Sequence, residues 1–137
     1  MSPAIIVDTS VLFAALVKSR SRLRDELFAD LEPSFFSPRF LFVELFKHKE
    51  RLVAATELSE EELLEVLNAL LARIRFADEC AIPLGTWLEA RRLCRDIDEK
   101  DTPFVALTLH LDGKLWTEDE ELKKGLRAKG FDQFSEP

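Results

Sequence analysis

The chain has no tyrosine, one methionine, two cysteines and four glycines among 137 residues. Cys80 and Cys94 cannot build a disulfide framework and lack the close spacing of a zinc knuckle, so both are expected as reduced core thiols. The glycines are scattered, and the chain contains no Walker loop, no Gly-rich dinucleotide turn and no Gly-x-Ser-x-Gly elbow. Phosphate here would have to be held by something other than a glycine cradle. Long apolar runs are also missing: Val11 to Val17 is too short to span a bilayer, and no basic segment followed by a long apolar one opens the chain. A cytoplasmic protein with no membrane contact is expected. Positive charge is scarce too, with a formal net charge of −7, which argues against broad, sequence-blind attraction to nucleic acid. Up to Thr56 the acids and bases nearly balance, and the excess acid follows. A local basic surface around Lys18, Arg20, Arg22, Arg24, Lys47, Lys49 and Arg51 therefore remains open.

What is present suffices for a core: 47% of the residues are hydrophobic and eleven are Phe. One domain over residues 1–137 is expected, with no repeat or linker inside it. Ala4 to Val7 reads as a short buried strand ending in Asp8, followed by a helix through Val11 to Leu16 whose start is marked by Asp8 or Ser10. Arg20 to Leu31 suits a surface helix with one apolar stripe. Phe35-Phe36, between Pro33 and Pro38, suits a second strand, and Pro38 then opens a helix to about Ala54. In that helix Glu44 interrupts a run that otherwise looks buried. A carboxylate there is costly unless protonated, paired or bound to metal, or else it faces water on a polar stripe with Lys47, His48 and Arg51.

Ser59-Glu60-Glu61-Glu62 is a capping box opening a helix striped by Leu63, Leu67, Leu70 and Ile74. A third strand is expected around Cys80-Ala81-Ile82, with Pro83 opening the helix of Trp87 to Cys94. After the acidic loop Asp96 to Asp101, Pro103 to Leu111 is a strongly apolar helix that must be nearly enclosed. A fourth strand, Lys114 to Thr117, leads into a second capping box, Thr117-Glu118-Asp119-Glu120, and a helix to about Lys129. Gly130 ends it, and Phe131 to Phe134 could add a last short strand. Apolar strands separated by helices imply a three-layer α/β/α sandwich around a central parallel sheet of four or five short strands.

In such a sheet, functional groups gather beyond the carboxyl ends of the strands. Asp8 follows the first strand, Glu44 lies about a turn into the helix after the second, Asp101 begins the enclosed helix, and Asp119 follows the fourth strand. Each has a structural alternative: Asp8 a turn residue, Asp101 an N-cap, Asp119 a first-turn acid favoured by the helix dipole. Their joint placement at the ends of apolar elements favours a shared site. Like charges brought together need a proton or a cation between them. Oxygen ligands without a closed His/Cys set suit Mg²⁺ or Mn²⁺, and the chemistry that follows is metal-assisted phosphodiester hydrolysis. His48 could touch a substrate phosphate but reads better as a surface histidine, and His110 reads as structural.

Val7-Asp8-Thr9-Ser10, Pro38 to Glu44, Asp98-x-x-Asp101-x-Pro-Phe-Val-Ala-Leu and Leu115-Trp116-Thr117-x-Asp119 together resemble the PIN-domain nucleases, in particular the VapC-like toxins of toxin–antitoxin pairs. The resemblance covers nearly the whole chain, and its specificity comes from the order and spacing of short motifs. It implies a PIN-like sandwich with Mg²⁺- or Mn²⁺-dependent endoribonuclease activity. The metal-binding acids it implies are Asp8, Glu44, Asp101 and Asp119, with Asp98 a fifth and with Thr9, Ser10 and Thr117 in support. Ser10 stands where the family commonly has Asn. The resemblance also implies an RNA substrate, a homodimer and a small antitoxin protein. Two rivals stand beside it: a catalytically dormant PIN-fold binding or scaffold protein, and an aspartyl-phosphate protein. A phosphatase of the latter kind would place a second acid where Ser10 is, and a receiver domain would carry its acceptor after a later strand.

Overall fold

Three consecutive branched apolar residues, Ile5, Ile6 and Val7, can all be buried only in a strand that is paired on both edges and covered on both faces. The computed structural model, which describes residues 4–29 and 34–136, places them so. Strands β1 (Ile5–Val7), β2 (Phe35–Pro38), β3 (Ile74–Ala77) and β4 (Lys114–Trp116) form one parallel sheet in the order β3-β2-β1-β4. Ile5 is in register with Phe35 on one side and Lys114 on the other. The flanking helices are α1 (Thr9–Val17), α2 (Arg22–Phe28), α3 (Phe40–Lys47), α4 (Lys49–Ala55), α5 (Glu60–Ala72), α6 (Leu84–Cys94), α7 (Thr102–Leu111) and α8 (Glu120–Ala128). They complete the expected three-layer α/β/α sandwich. α7 packs against β1, β2 and β4 with α6 beside it, while α1 packs against α2, α3, α4 and α5. Among the described residues, no helix is long and apolar enough to cross a membrane.

α7 is the helix expected to be enclosed: Phe104 to Thr108 are all buried, and the Thr108 hydroxyl is satisfied by donating to the Phe104 carbonyl at 2.8 Å. Its end is set by close approach. Asp112 turns left-handed (φ 49°), and Gly113 then passes so near β1 that a Cβ there would lie 2.5 Å from the Ala4 carbonyl oxygen and 2.8 Å from Ile6 Cδ1. Gly113→Ala is therefore expected to lower the unfolding free energy by about 1–3 kcal/mol, read from denaturant melts. An unchanged midpoint would contradict the close approach of Gly113 to Ala4 and Ile6.

Several expectations change. The third strand is Ile74–Ala77, and Cys80 lies in a short 3₁₀ turn, Glu79–Ala81. Ile74 thus belongs to the sheet edge and not to the α5 stripe, because α5 stops at Ala72 and the chain turns directly into β3. Cys94 is buried, with burial pushing its thiol up to about 12, but Cys80 is exposed and is no core thiol. Pro38 closes β2 instead of opening a helix, and the helix expected to about Ala54 is two, α3 and α4, meeting at His48 (φ −105°, ψ 14°). Apolar spacing runs across that residue, so periodicity alone reads a single helix. The second helix is shorter than expected, capped by Ser21, whose Oγ accepts from the Arg24 amide; Leu31 and Pro33 lie outside the described residues. The α8 cap is Asp119, and Thr117 instead accepts from the Asp119 amide at 3.1 Å. The last strand amounts to one parallel bridge, Leu115 with Phe134. His110 is exposed in the last turn of α7.

Candidate active site

The chain runs from β1 to β2 to β3 on one side and then crosses to β4 on the other side of β1. Loops leaving β1 and β4 consequently diverge, and an open parallel sheet has its natural crevice at that point. Asp8 sits there, 4% exposed, as the N-cap of α1. Its Oδ1 accepts from Ser10 Oγ at 2.6 Å and from the Val11 amide at 3.2 Å, and its own amide donates to the Trp116 carbonyl at 3.2 Å. Ser10 Oγ in turn accepts from the Glu118 amide at 2.9 Å and lies 3.2 Å from Thr117 Oγ1. Since Ser10 gives its proton to Asp8, Thr117 is the donor of that pair. Side-chain hydroxyls thus tie the ends of β1 and β4 together around one carboxylate.

The other acids arrive on three further elements. Glu44, 8% exposed, projects from α3, with Oε2 3.8 Å from His48 Nε2. Asp98 and Asp101 frame the 3₁₀ turn before α7, and Asp119 caps α8 through Oδ1 and the Leu122 amide at 3.1 Å. Asp8, Glu44, Asp98, Asp101 and Asp119 all line one cavity of about 360 Å³, together with Thr9 and Ser10. Thr117 stands behind, one hydrogen bond away. The cavity is also lined by Phe13, His48, Arg51 and Lys100. Of these, His48 and Arg51 were legible as a helical continuation of Glu44 at four and seven residues; Phe13 and Lys100 carried no such signal.

Electrostatics mark two of the acids, the buried Asp8 and the half-buried Asp101. Burial raises Asp8 to about 6, opposed by the hydrogen bonds from Ser10 and Val11 and by the nearby Thr117 hydroxyl, and aided by repulsion from Asp119. Asp101 is raised to about 8, first by burial and then by Asp8, Asp98, Asp119 and Glu44. All four other acids are thus close enough for Asp101 to feel their charge.

Whether a divalent cation fits can be judged from the donors. Every acidic donor is a hard carboxylate oxygen, the kind Mg²⁺ and Mn²⁺ select. Asp8, Asp98 and Asp119 each commit Oδ1 to a backbone amide, which leaves Oδ2 for another partner. As they stand, no three His, Cys, Asp or Glu side chains among the described residues are close enough together to hold an ion. Asp98 and Asp119 are exposed, with room to turn inward, whereas Asp8 is fixed. The donor set fits in kind.

No curated protein matches the chain. A family model described as PIN domain matches residues 6–136, a span that begins in β1 and takes in every acid of the cavity. With that match over nearly its whole length, and with a central parallel sheet carrying acids at its carboxyl edge, the chain belongs to the PIN-domain family.

Proposed function

We propose that the protein is a Mg²⁺- or Mn²⁺-dependent endoribonuclease acting as the toxin of a VapBC-type pair, a single cytoplasmic domain over residues 1–137. PIN domains are generally nucleases. The observation that carries the proposal is the meeting of five carboxylates from four separate elements in one cavity, two of them with raised pKa values. Capping accounts for Asp8, Asp98 and Asp119 one at a time, but not for five acids sharing one cavity, a concentration of like charge that costs stability unless a cation offsets it.

Asp8, Asp101 and Asp119 would hold the ion, with Glu44 and Asp98 completing its surroundings. When bound, it supplies an activated attacking water and neutralises charge on the leaving oxygen. The chain's own residues do the rest. Ser10 and the Val11 amide hold the Asp8 carboxylate through Oδ1 and leave Oδ2 for another partner. Thr117 keeps Ser10 in place from β4. Glu44, held in the wall beside His48, is placed to accept a proton or to orient water.

A homodimer and a small antitoxin belong to the same proposal. Phe42, Val43, Phe46, Val53 and Leu64 are exposed on α3, α4 and α5, and an apolar hollow of about 300 Å³ lies among them. Apolar surface of that kind marks a protein contact.

The test is cleavage of RNA by the purified chain with Mn²⁺ or Mg²⁺ and with EDTA. Chelation is expected to slow cleavage by at least about a hundredfold. Cleavage unaffected by EDTA would reject the metal role. RNA bound but left intact under both conditions would favour the dormant binding protein.

A further inference from the structure

We propose that Arg51, seated on the ring of Phe13 at the edge of the acidic cavity, anchors the nucleic-acid backbone beside the bond to be cut. The inference rests on the nuclease reading and names the residue that gives the site its grip. A floor of carboxylates repels a phosphodiester, so a strand drawn to this cavity needs a fixed positive group on the wall. Arg51 is exposed, lines the cavity and shares its face of the α3–α4 segment with Glu44 and His48. Five carboxylates line the same hollow. Yet among the described residues Arg51 forms no ion pair and gives no hydrogen bond; its guanidinium carbon lies 4.7 Å from the centre of the Phe13 ring.

Arg24 and Arg92 are used differently. Arg24 donates to the carbonyls of Ala15, Lys18 and Ser19, and Arg92 pairs with Glu89. Arg51 is instead steadied through its face, which leaves the N–H edge, the part that grips phosphate in a bidentate manner, without a partner. Phe13 reaches the cavity from α1 one turn after Ser10, so the anchor is tied to the element that carries Asp8. Lys100 lines the cavity from the acidic loop and supplies a second cation to the strand's path.

The experiment pairs fluorescence anisotropy of a labelled single-stranded RNA oligonucleotide, measured across a salt series with Ca²⁺ present, with steady-state cleavage in Mn²⁺. Arg51→Ala is expected to weaken binding about tenfold and raise KM by a similar factor. The slope of log affinity against log salt should fall by about 0.7, the share of one phosphate contact on a single strand. Arg51→Lys should keep the slope but recover only part of the affinity. Phe13→Leu should keep the slope and weaken binding about threefold. Arg92→Ala, the same charge change outside the cavity, should move neither quantity. Unchanged affinity and slope in Arg51→Ala, or an equal effect from Arg92→Ala, overturns the assignment. Failure of the nuclease reading looks different: the wild type cleaves nothing with any divalent ion, while Arg51→Ala still loses affinity and slope.

Discussion

Asp8→Asn is expected to reduce divalent-dependent RNA cleavage by at least about a thousandfold, close to 4 kcal/mol of transition-state stabilisation, without unfolding the protein. The substitution removes one charge and almost no volume. The Asn side-chain oxygen can still accept from Ser10 Oγ and the Val11 amide, so the cap of α1 and the link to β4 survive. What disappears is the anionic Oδ2 at the crevice between β1 and β4. At pH 8, above the value of about 6 to which burial raises Asp8, the wild type carries a buried charge there. Removing it should leave the metal-free variant at least as stable as the wild type. Two measurements check this: initial cleavage rates with Mn²⁺, and thermal melts in EDTA. Undiminished cleavage rejects Asp8 as a ligand. A melting point that drops sharply in EDTA would show that the carboxylate serves the fold.

The second large effect is on stability against pH. Asp8 and Asp101 are raised in the folded protein from 3.8 to about 6 and about 8. A carboxyl group raised on folding binds its proton more tightly in the native state than in the unfolded one. Its stabilisation is complete below the unfolded value and is lost as pH rises through the folded value. The metal-free protein should therefore lose on the order of 4 kcal/mol of unfolding free energy between pH 5 and pH 9, the upper part of the loss coming from Asp101. Carboxylates with lowered values, such as Glu62 and Glu136, are ionised in the folded protein throughout this window and add only a small opposite slope near pH 5, where their unfolded forms finish titrating. Mn²⁺ should reverse the trend, since ligand binding to the native state adds stability and the deprotonated acids bind it best. Urea melts in EDTA and in Mn²⁺ across the pH range decide it. A flat profile in EDTA, or one that rises with pH, contradicts the raised values of these two acids.

Local pattern carried much of the molecule. Asp8 behind three branched apolar residues, Ser59 three residues before Glu62, and Pro103 ahead of an apolar run each state their own backbone conformation, because caps and strand ends are written in a few adjacent side chains. β3 is the reverse case. Ile74 continues the leucine spacing of α5, and only its pairing with Phe35 across the sheet makes it a strand. A strand of four residues holds too little local preference to outweigh such a partner. The break at His48 leaves no mark in the sequence, because apolar spacing is blind to one residue leaving helical geometry.

By itself, then, the sequence determined that Asp8, Asp101 and Asp119 stand at the starts of helices, for those positions follow from neighbours a few residues away. Tertiary structure decided that β4 lies beside β1, that Asp8 and Asp101 are buried enough to hold protons near neutral pH, and that Arg51 rests on Phe13. Those facts depend on contacts between segments far apart in the chain, whose energy no short pattern contains.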